Sequence, residues 1–220
     1  MAQRFSLLVF DWDGTLMNSA SRIVDCLQAT IADLGLEPLP RSALSNIIGL
    51  GLHEAVQMLY PAAEATLIEK FIDRYRMHFL AEEKSATELF PGSRDVLQQL
   101  YDDGYLLAVA TGKSRRGLER SLDETDCRDL FHMTRCADEC HSKPHPQMLQ
   151  EIMTVLDVAT QDTLMIGDTE YDMLMAVHAG TAALAVDYGV HERQRLLEHR
   201  PVHCISDIRQ LPGWLMKTVQ

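Results

Sequence analysis

SLLVFDWDGTLMNS, residues Ser6 to Ser19, sets two carboxylates, Asp11 and Asp13, directly after the apolar run Leu7-Leu8-Val9-Phe10. Such a run is strand-length and reads as a buried strand. Charge is costly beside a buried strand, so the pair marks either a metal site or a reacting centre. An EF-hand calcium loop does not fit. It wants glycine at its sixth position and glutamate at its twelfth, whereas, counted from Asp11, Gly14 stands fourth and Arg22 twelfth.

Further along, from Tyr105, apolar runs alternate with helical patterns: LLAVAT with RRGLERSLDE, TLMIGD with YDMLMAVHAG, and AALAVDYG with ERQRLLEH. That alternation favours right-handed crossovers and a parallel sheet covered by helices on both faces. Between about Leu16 and Phe90 only helical spacing is found, with Val24, Leu27, Ile31 and Leu34 in register and further periodic stretches at 54–60 and 65–79. Pro91-Gly92 marks the return and opens a helix carrying Val96, Leu97 and Leu100, which Asp103-Gly104 stops. The expected fold is α/β, a Rossmann-like doubly wound parallel sheet from residues 1–15 and 90–220, interrupted after its first strand by a helical insertion over 16–89.

The chain has 220 residues, enough to bury a real core, and 46% of them are hydrophobic. Its formal net charge of -12 argues against a nucleic acid or an anionic membrane as partner, since both are bound through basic patches. An anionic substrate would have to be attracted by local positive charge or by a metal. No run is long enough to span a membrane, and the apolar stretch after Arg4 is too short for a secretory signal. The five cysteines, Cys26, Cys127, Cys136, Cys140 and Cys204, form an odd set without a disulfide framework, which fits a reducing, cytoplasmic setting. Cys136, Cys140 and His141 lack a second paired set at zinc-finger spacing, so free thiols are the better reading.

In an open α/β sheet, ligands bind beyond the carboxyl ends of the strands. Four features fall there: Asp11 with Asp13, Thr111 after YLLAVA, Lys143 in SKPHP, and Asp168 with Asp172 in IGDTEYD. Singly, Thr111 and Asp168 read as helix caps, Asp172 as a first-turn acid and Lys143 as a surface charge. Together, FDWDGTL, the strand-end Thr111, Lys143 before a proline and GDTEYD resemble the four motifs of the haloacid dehalogenase superfamily. The helical insertion resembles its type 1 cap, and the combination is most similar to phosphoglycolate phosphatase-like members. The resemblance spans nearly the whole chain.

The resemblance implies a role for each residue. Asp11 is the nucleophile that forms an aspartyl-phosphate, Asp13 the acid and base, Thr111 a phosphoryl ligand and Lys143 the cation that offsets anionic repulsion. A divalent ion, best taken as Mg²⁺, is held by Asp11, the backbone carbonyl of Asp13 and Asp168, with Asp172 supporting the site from behind. Asp13 speaks against dehalogenases and phosphonoacetaldehyde hydrolases, which lack an aspartate there. Ile23 stands where β-phosphoglucomutases carry a histidine. The implied activity is a phosphatase acting on a small-molecule phosphomonoester, with phosphoglycolate the first compound to try. A phosphosugar mutase or an inorganic pyrophosphatase is the alternative, and a non-catalytic binding protein a more distant one. Gly49-Leu50-Gly51-Leu52 reads equally as a substrate-facing loop and as a plain turn. Lys113, Ser114, Arg115 and Arg116 follow Thr111 closely and could bring positive charge near the site, although Arg115 and Arg116 read better as a solvated helix start, and His53, His145 and His191 receive no role.

Overall fold

The computed structural model describes residues 5–81 and 88–217. Six strands, β1 (Leu7–Phe10), β2 (Leu106–Thr111), β3 (Met133–Cys136), β4 (Thr163–Gly167), β5 (Ala182–Val186) and β6 (His203–Ile205), form one sheet. All neighbours pair in parallel, in the order β3-β2-β1-β4-β5-β6. The order reverses between β1 and β4, which is where an open α/β sheet forms its ligand crevice. Each of the four residues of β1 is buried, as its uninterrupted apolar run requires of an interior strand.

From β1 the chain passes into α1 (Ala20–Asp33), α2 (Arg41–Asn46), α3 (Leu52–Leu59) and α4 (Ala65–Ala81). It returns through α5 (Ser93–Asp102), and α6 (Arg115–Glu124), α7 (Gln147–Leu156), α8 (Glu170–Ala179), α9 (Arg193–Glu198) and α10 (Leu211–Lys217) follow. Side chains alternate across the sheet, as the pleat dictates. Leu8, Phe10, Leu107, Val109, Leu164 and Ile166 meet α5, α6 and α10 on one face. Leu7, Val9, Ala108, Ala110, Met165 and Ala185 meet α7, α8 and α9 on the other, so the sheet is wound on both sides.

The helices α1 to α4 gather their own apolar cluster, built from Val24, Leu27, Leu44, Val56, Phe71 and Tyr75, with Tyr171 of α8 packed into it. The segments leaving and rejoining the sheet region run side by side. Phe90 donates its amide to Leu16 O and Asn18 to Glu88 O, each at 2.9 Å, and Met17 bridges Leu89.

Two strands, β3 and β6, carry no sequence signature. They are the two edges of the sheet, β6 is only three residues long, and three of the four β3 positions are half-buried, so neither needs an apolar run. All five cysteines are free thiols; burial pushes Cys136 up to about 12. Among the described residues no helix is long and apolar enough to cross a membrane.

Candidate active site

The crevice between β1 and β4 brings together the residues singled out by the sequence. Asp11 sits one residue past β1, and its amide donates to Ile166 O of β4 at 2.9 Å, so backbone pairing fixes where the side chain starts. Lys143, on the loop before α7, has a side chain with 0% exposure. Its Nζ stands 2.7 Å from Asp11 Oδ1 and 2.6 Å from Asp172 Oδ1. Burial opposes the ammonium charge, but the two carboxylates outweigh it and hold Lys143 above the ordinary lysine range.

Asp172 owes its position to the start of α8. Thr169 caps the helix by accepting from the Asp172 amide, and Asp172 Oδ2 accepts in return from the Thr169 amide at 3.0 Å and its hydroxyl at 2.7 Å. Its other oxygen accepts from Lys143, so the carboxylate is committed on both sides. Gly167 before it is required, because a Cβ there would lie 2.3 Å from the Asp172 carboxyl carbon.

Asp168, one residue beyond β4, accepts from the Thr15 hydroxyl at 2.7 Å and from the Val190 amide at 2.8 Å. Burial first, and the charge of Asp172 second, raise its pKa to about 7. Gly14 lets the first loop close over it: φ is +91°, and a Cβ would fall 2.2 Å from Asp168 Oδ2. Asp11 is held well above the carboxylate range by burial, with Lys143 opposing. Apart from the ion pair with Lys143, neither Asp11 oxygen has a hydrogen-bond partner among the described residues.

These features fit a cation. Asp11, Asp168 and Asp172 each offer a carboxylate oxygen, all within 4.8 Å of one another, and among the described residues a single buried ammonium, Lys143, is paired with them. Oxygen donors suit a hard divalent ion. With Asp172 taken up by Lys143 and Thr169, the Asp11 oxygens and the remaining lone pairs of Asp168 are the available ligands.

Asp13 faces the other way. Its carboxylate accepts from the Ser19 hydroxyl at 2.6 Å and from Lys113 Nζ at 3.0 and 3.1 Å. Lys113 is itself nearly buried and stands 4.9 Å from the centre of the Phe79 ring, with the Arg22 guanidinium 4.6 Å from the same centre. Thr111 ends β2, is buried, and accepts from the Lys113 amide at 3.2 Å.

The Gly49–Gly51 loop is docked on this crevice and is no free turn. Gly112 allows it to approach: a Cβ there would lie 2.5 Å from Leu50 O and 2.6 Å from Gly49 O. The Gly51 amide donates to Ser142 Oγ at 2.8 Å, beside Lys143. Asn46 at the end of α2 is held from below, its carbonyl by the Tyr171 hydroxyl at 2.9 Å and by His191 at 3.3 Å, its side chain by Arg195. His191 Nδ1 accepts from the Glu170 amide, so Nε2 carries the proton given to Asn46. A cavity of about 270 Å³ lies between loop and crevice, with Asp11, Asp13 and Thr111 in its floor.

Thr15 and Ser19 stand in the first motif stretch but were given no role there, and Asn46, His191 and Arg195 have no motif that could have announced them, since each acts on a partner chosen by the fold. Arg115, expected to be solvated, is half-buried between Glu139, Glu119 and Thr134, and Arg116 lies exposed at the cavity rim. His53 and His145 are not in the cavity wall.

Comparison with known proteins agrees with this geometry. Residues 8–186 match the family described as haloacid dehalogenase-like hydrolase. The chain is 32% identical over 211 residues to "Probable phosphatase IndB" of Dickeya dadantii (strain 3937), covering 94% of this chain and 92% of that one. It is 26% identical over 209 residues to "Pyrophosphatase PpaX" of Bacillus mycoides (strain KBAB4), covering 94% and 95%. A predicted phosphoglycolate phosphatase from Haemophilus somnus 129pt shares the fold with a TM-score of 0.87 at 21% identity, covering 97% of this chain and 99% of that one. With a family match over most of its length, and with the motif-bearing loops gathered at one crevice, the chain belongs to the haloacid dehalogenase-like hydrolases.

Proposed function

We propose that this haloacid dehalogenase-like phosphatase is a Mg²⁺-dependent phosphomonoesterase of small phosphorylated metabolites, with phosphoglycolate-like compounds and sugar phosphates as reference substrates. In this reading residues 16–89 are a cap domain over a core of 1–15 and 90–220. One observation carries the proposal: the Asp11 carboxylate is buried in the floor of the cavity with no partner among the described residues other than the Lys143 ammonium. That is the environment of a nucleophile rather than of a structural acid, whose oxygens would be bonded as those of Asp172 are.

Asp11 Oδ attacks phosphorus as the bond from phosphorus to the alcohol oxygen breaks, giving an aspartyl-phosphate. Asp13 gives its proton to the departing alkoxide. Water then attacks phosphorus, Asp13 takes its proton, and the bond from Asp11 to phosphorus breaks to release phosphate. Ser19 and Lys113, both bonded to its carboxylate, position Asp13 for these transfers. Lys143 offsets repulsion between Asp11 and the phosphoryl oxygens, and Thr111 offers a hydroxyl to them. Asp11, Asp168 and the Asp13 backbone carbonyl would hold Mg²⁺. When bound it supplies the positive charge that ionises Asp11 against its burial and neutralises the phosphoryl group.

The net charge of -12 and the free cysteines support a cytoplasmic enzyme with a small-molecule partner, not a nucleic acid or membrane. Hydrolysis of inorganic pyrophosphate is the second reading, favoured by the relatives named for it. Phosphate release should require Mg²⁺, stop in excess EDTA, and be inhibited by Ca²⁺, whose looser coordination misplaces the nucleophile. Full activity in EDTA would overturn the metal; pyrophosphate hydrolysed far faster than every monoester would move the assignment to the second reading.

A further inference from the structure

The wall of the cavity opposite Asp11 is made almost wholly of hydrocarbon. Ile23 and Leu27 from α1, Ile48 and Leu50 from the docked loop, Leu52 from α3 and Phe79 from α4 all line it. These positions lie on three helices and a loop, so no single element's amphipathic face explains them. Two cations, Arg76 and Arg116, also line the cavity and are exposed, as is Asp138, and Ser114 is the remaining polar side chain beside them. The third, Lys113, is already held by Asp13. Tyr75 is the aromatic hydroxyl of the wall, and burial together with the charge of Asp13 keeps its phenol protonated.

A carboxylate or a set of sugar hydroxyls placed against such a wall would lose water and gain few hydrogen bonds, an unfavourable transfer that is larger for the charged group than for each hydroxyl. An alkyl group there would instead leave water favourably. Resting on the phosphatase reading above, we infer that the preferred substrates are phosphomonoesters whose alcohol carries an apolar chain, the phosphoryl group at Asp11 and Thr111 and the chain against α1, α3 and the Ile48–Leu50 segment. Sugar phosphates and phosphoglycolate are then poorer substrates than an alkyl phosphate of matching size. An apolar wall that merely sealed the reaction from water would make no such distinction among alcohols.

The test uses the full-length protein with Mg²⁺ and a ladder of ethyl, propyl, butyl and pentyl phosphate, whose leaving alcohols are chemically alike, beside phosphoglycolate, glucose 6-phosphate and p-nitrophenyl phosphate. Expected is a rise in kcat/KM of about fourfold for each added methylene until the cavity is filled, the factor that burying one CH₂ supplies. Butyl phosphate should exceed phosphoglycolate and glucose 6-phosphate by at least about tenfold. Leu52→Ser, at a half-buried position, should lower the ratio of butyl to ethyl phosphate severalfold. A flat or falling ladder, or phosphoglycolate or the sugar phosphate above butyl phosphate, with p-nitrophenyl phosphate turned over normally, overturns this inference and leaves the phosphatase reading standing. Failure to hydrolyse any phosphomonoester overturns both.

Discussion

In the cavity floor and the polar layer packed beneath it most polar atoms have an assigned partner: Lys143 between Asp11 and Asp172, Thr15 and Val190 on Asp168, Ser19 and Lys113 on Asp13. Its roof offers aliphatic and aromatic side chains instead. Hydrogen bonds and ion pairs are directional, so the floor specifies positions to tenths of an ångström; apolar contact is not, so the roof specifies size and polarity. Under the proposed function, the division gives reaction chemistry to the sheet and choice of substrate to the helices. It also predicts which changes touch only one of the two.

The largest effect should come from the floor. Asp11→Asn keeps the shape and removes the nucleophile, so turnover of every phosphomonoester should fall by at least about a thousandfold, roughly 4 kcal/mol of barrier. Activity within about tenfold of wild type, alike for p-nitrophenyl and alkyl phosphates, would break the covalent assignment.

Lys143→Met should cost fold stability as well as activity. It strips the partner from two buried carboxylates, and breaking a buried pair in this way costs about 3–5 kcal/mol. Urea unfolding in EDTA measures it; a loss below about 1 kcal/mol would mean that the floor is not held by charge.

The floor should also impose a pH dependence. Asp168 has a folded pKa of about 7 against 3.8 in its ordinary state, so the folded chain binds more protons between those values. Stability in EDTA should therefore fall as pH rises through that window. Asp168→Asn should remove this component of the slope. Equal slopes for the two proteins would contradict the burial of an isolated acid cluster.

Smaller effects belong to the roof. Gly112→Ala meets backbone oxygens of Leu50 and Gly49, which cannot step aside singly, so the loop must lift and KM should rise severalfold. Gly51→Val meets first the end of the flexible Glu54 side chain, at 2.7 Å, and then Ala137 Cβ at 3.1 Å. It should shift preference among small phosphomonoesters less strongly, sparing p-nitrophenyl phosphate. Reversal of that order in steady-state kinetics would show that the loop's seat matters less than its own conformation.

The same division explains what could be read from the sequence. β1, β2, β4 and β5 were legible because interior strands must be apolar along their whole length, and the motif residues because they stand at strand ends. β3 and β6 were not, since edge strands carry no such demand. Asp172 was legible as a first-turn acid of α8, since its capping box with Thr169 is local. The pairing of Lys113 with Asp13 spans 100 positions, and the lining of the roof depends on how three helices turn toward one another, which no local spacing encodes.

The side-by-side linkers at Leu16–Asn18 and Glu88–Phe90 have a thermodynamic consequence for folding. A flexible loop of about 70 residues would cost the sheet roughly 4 kcal/mol in closure entropy, from (3/2)RT ln n. Here the ends are tied to each other by backbone hydrogen bonds, and the helices between them bury their own cluster. To the sheet, the four helices are therefore equivalent to a turn of a few residues. The contacts between β1 and β2 are then close neighbours in effective chain length despite nearly a hundred intervening residues, and the insertion can change in length or sequence without altering the entropy of assembling the sheet.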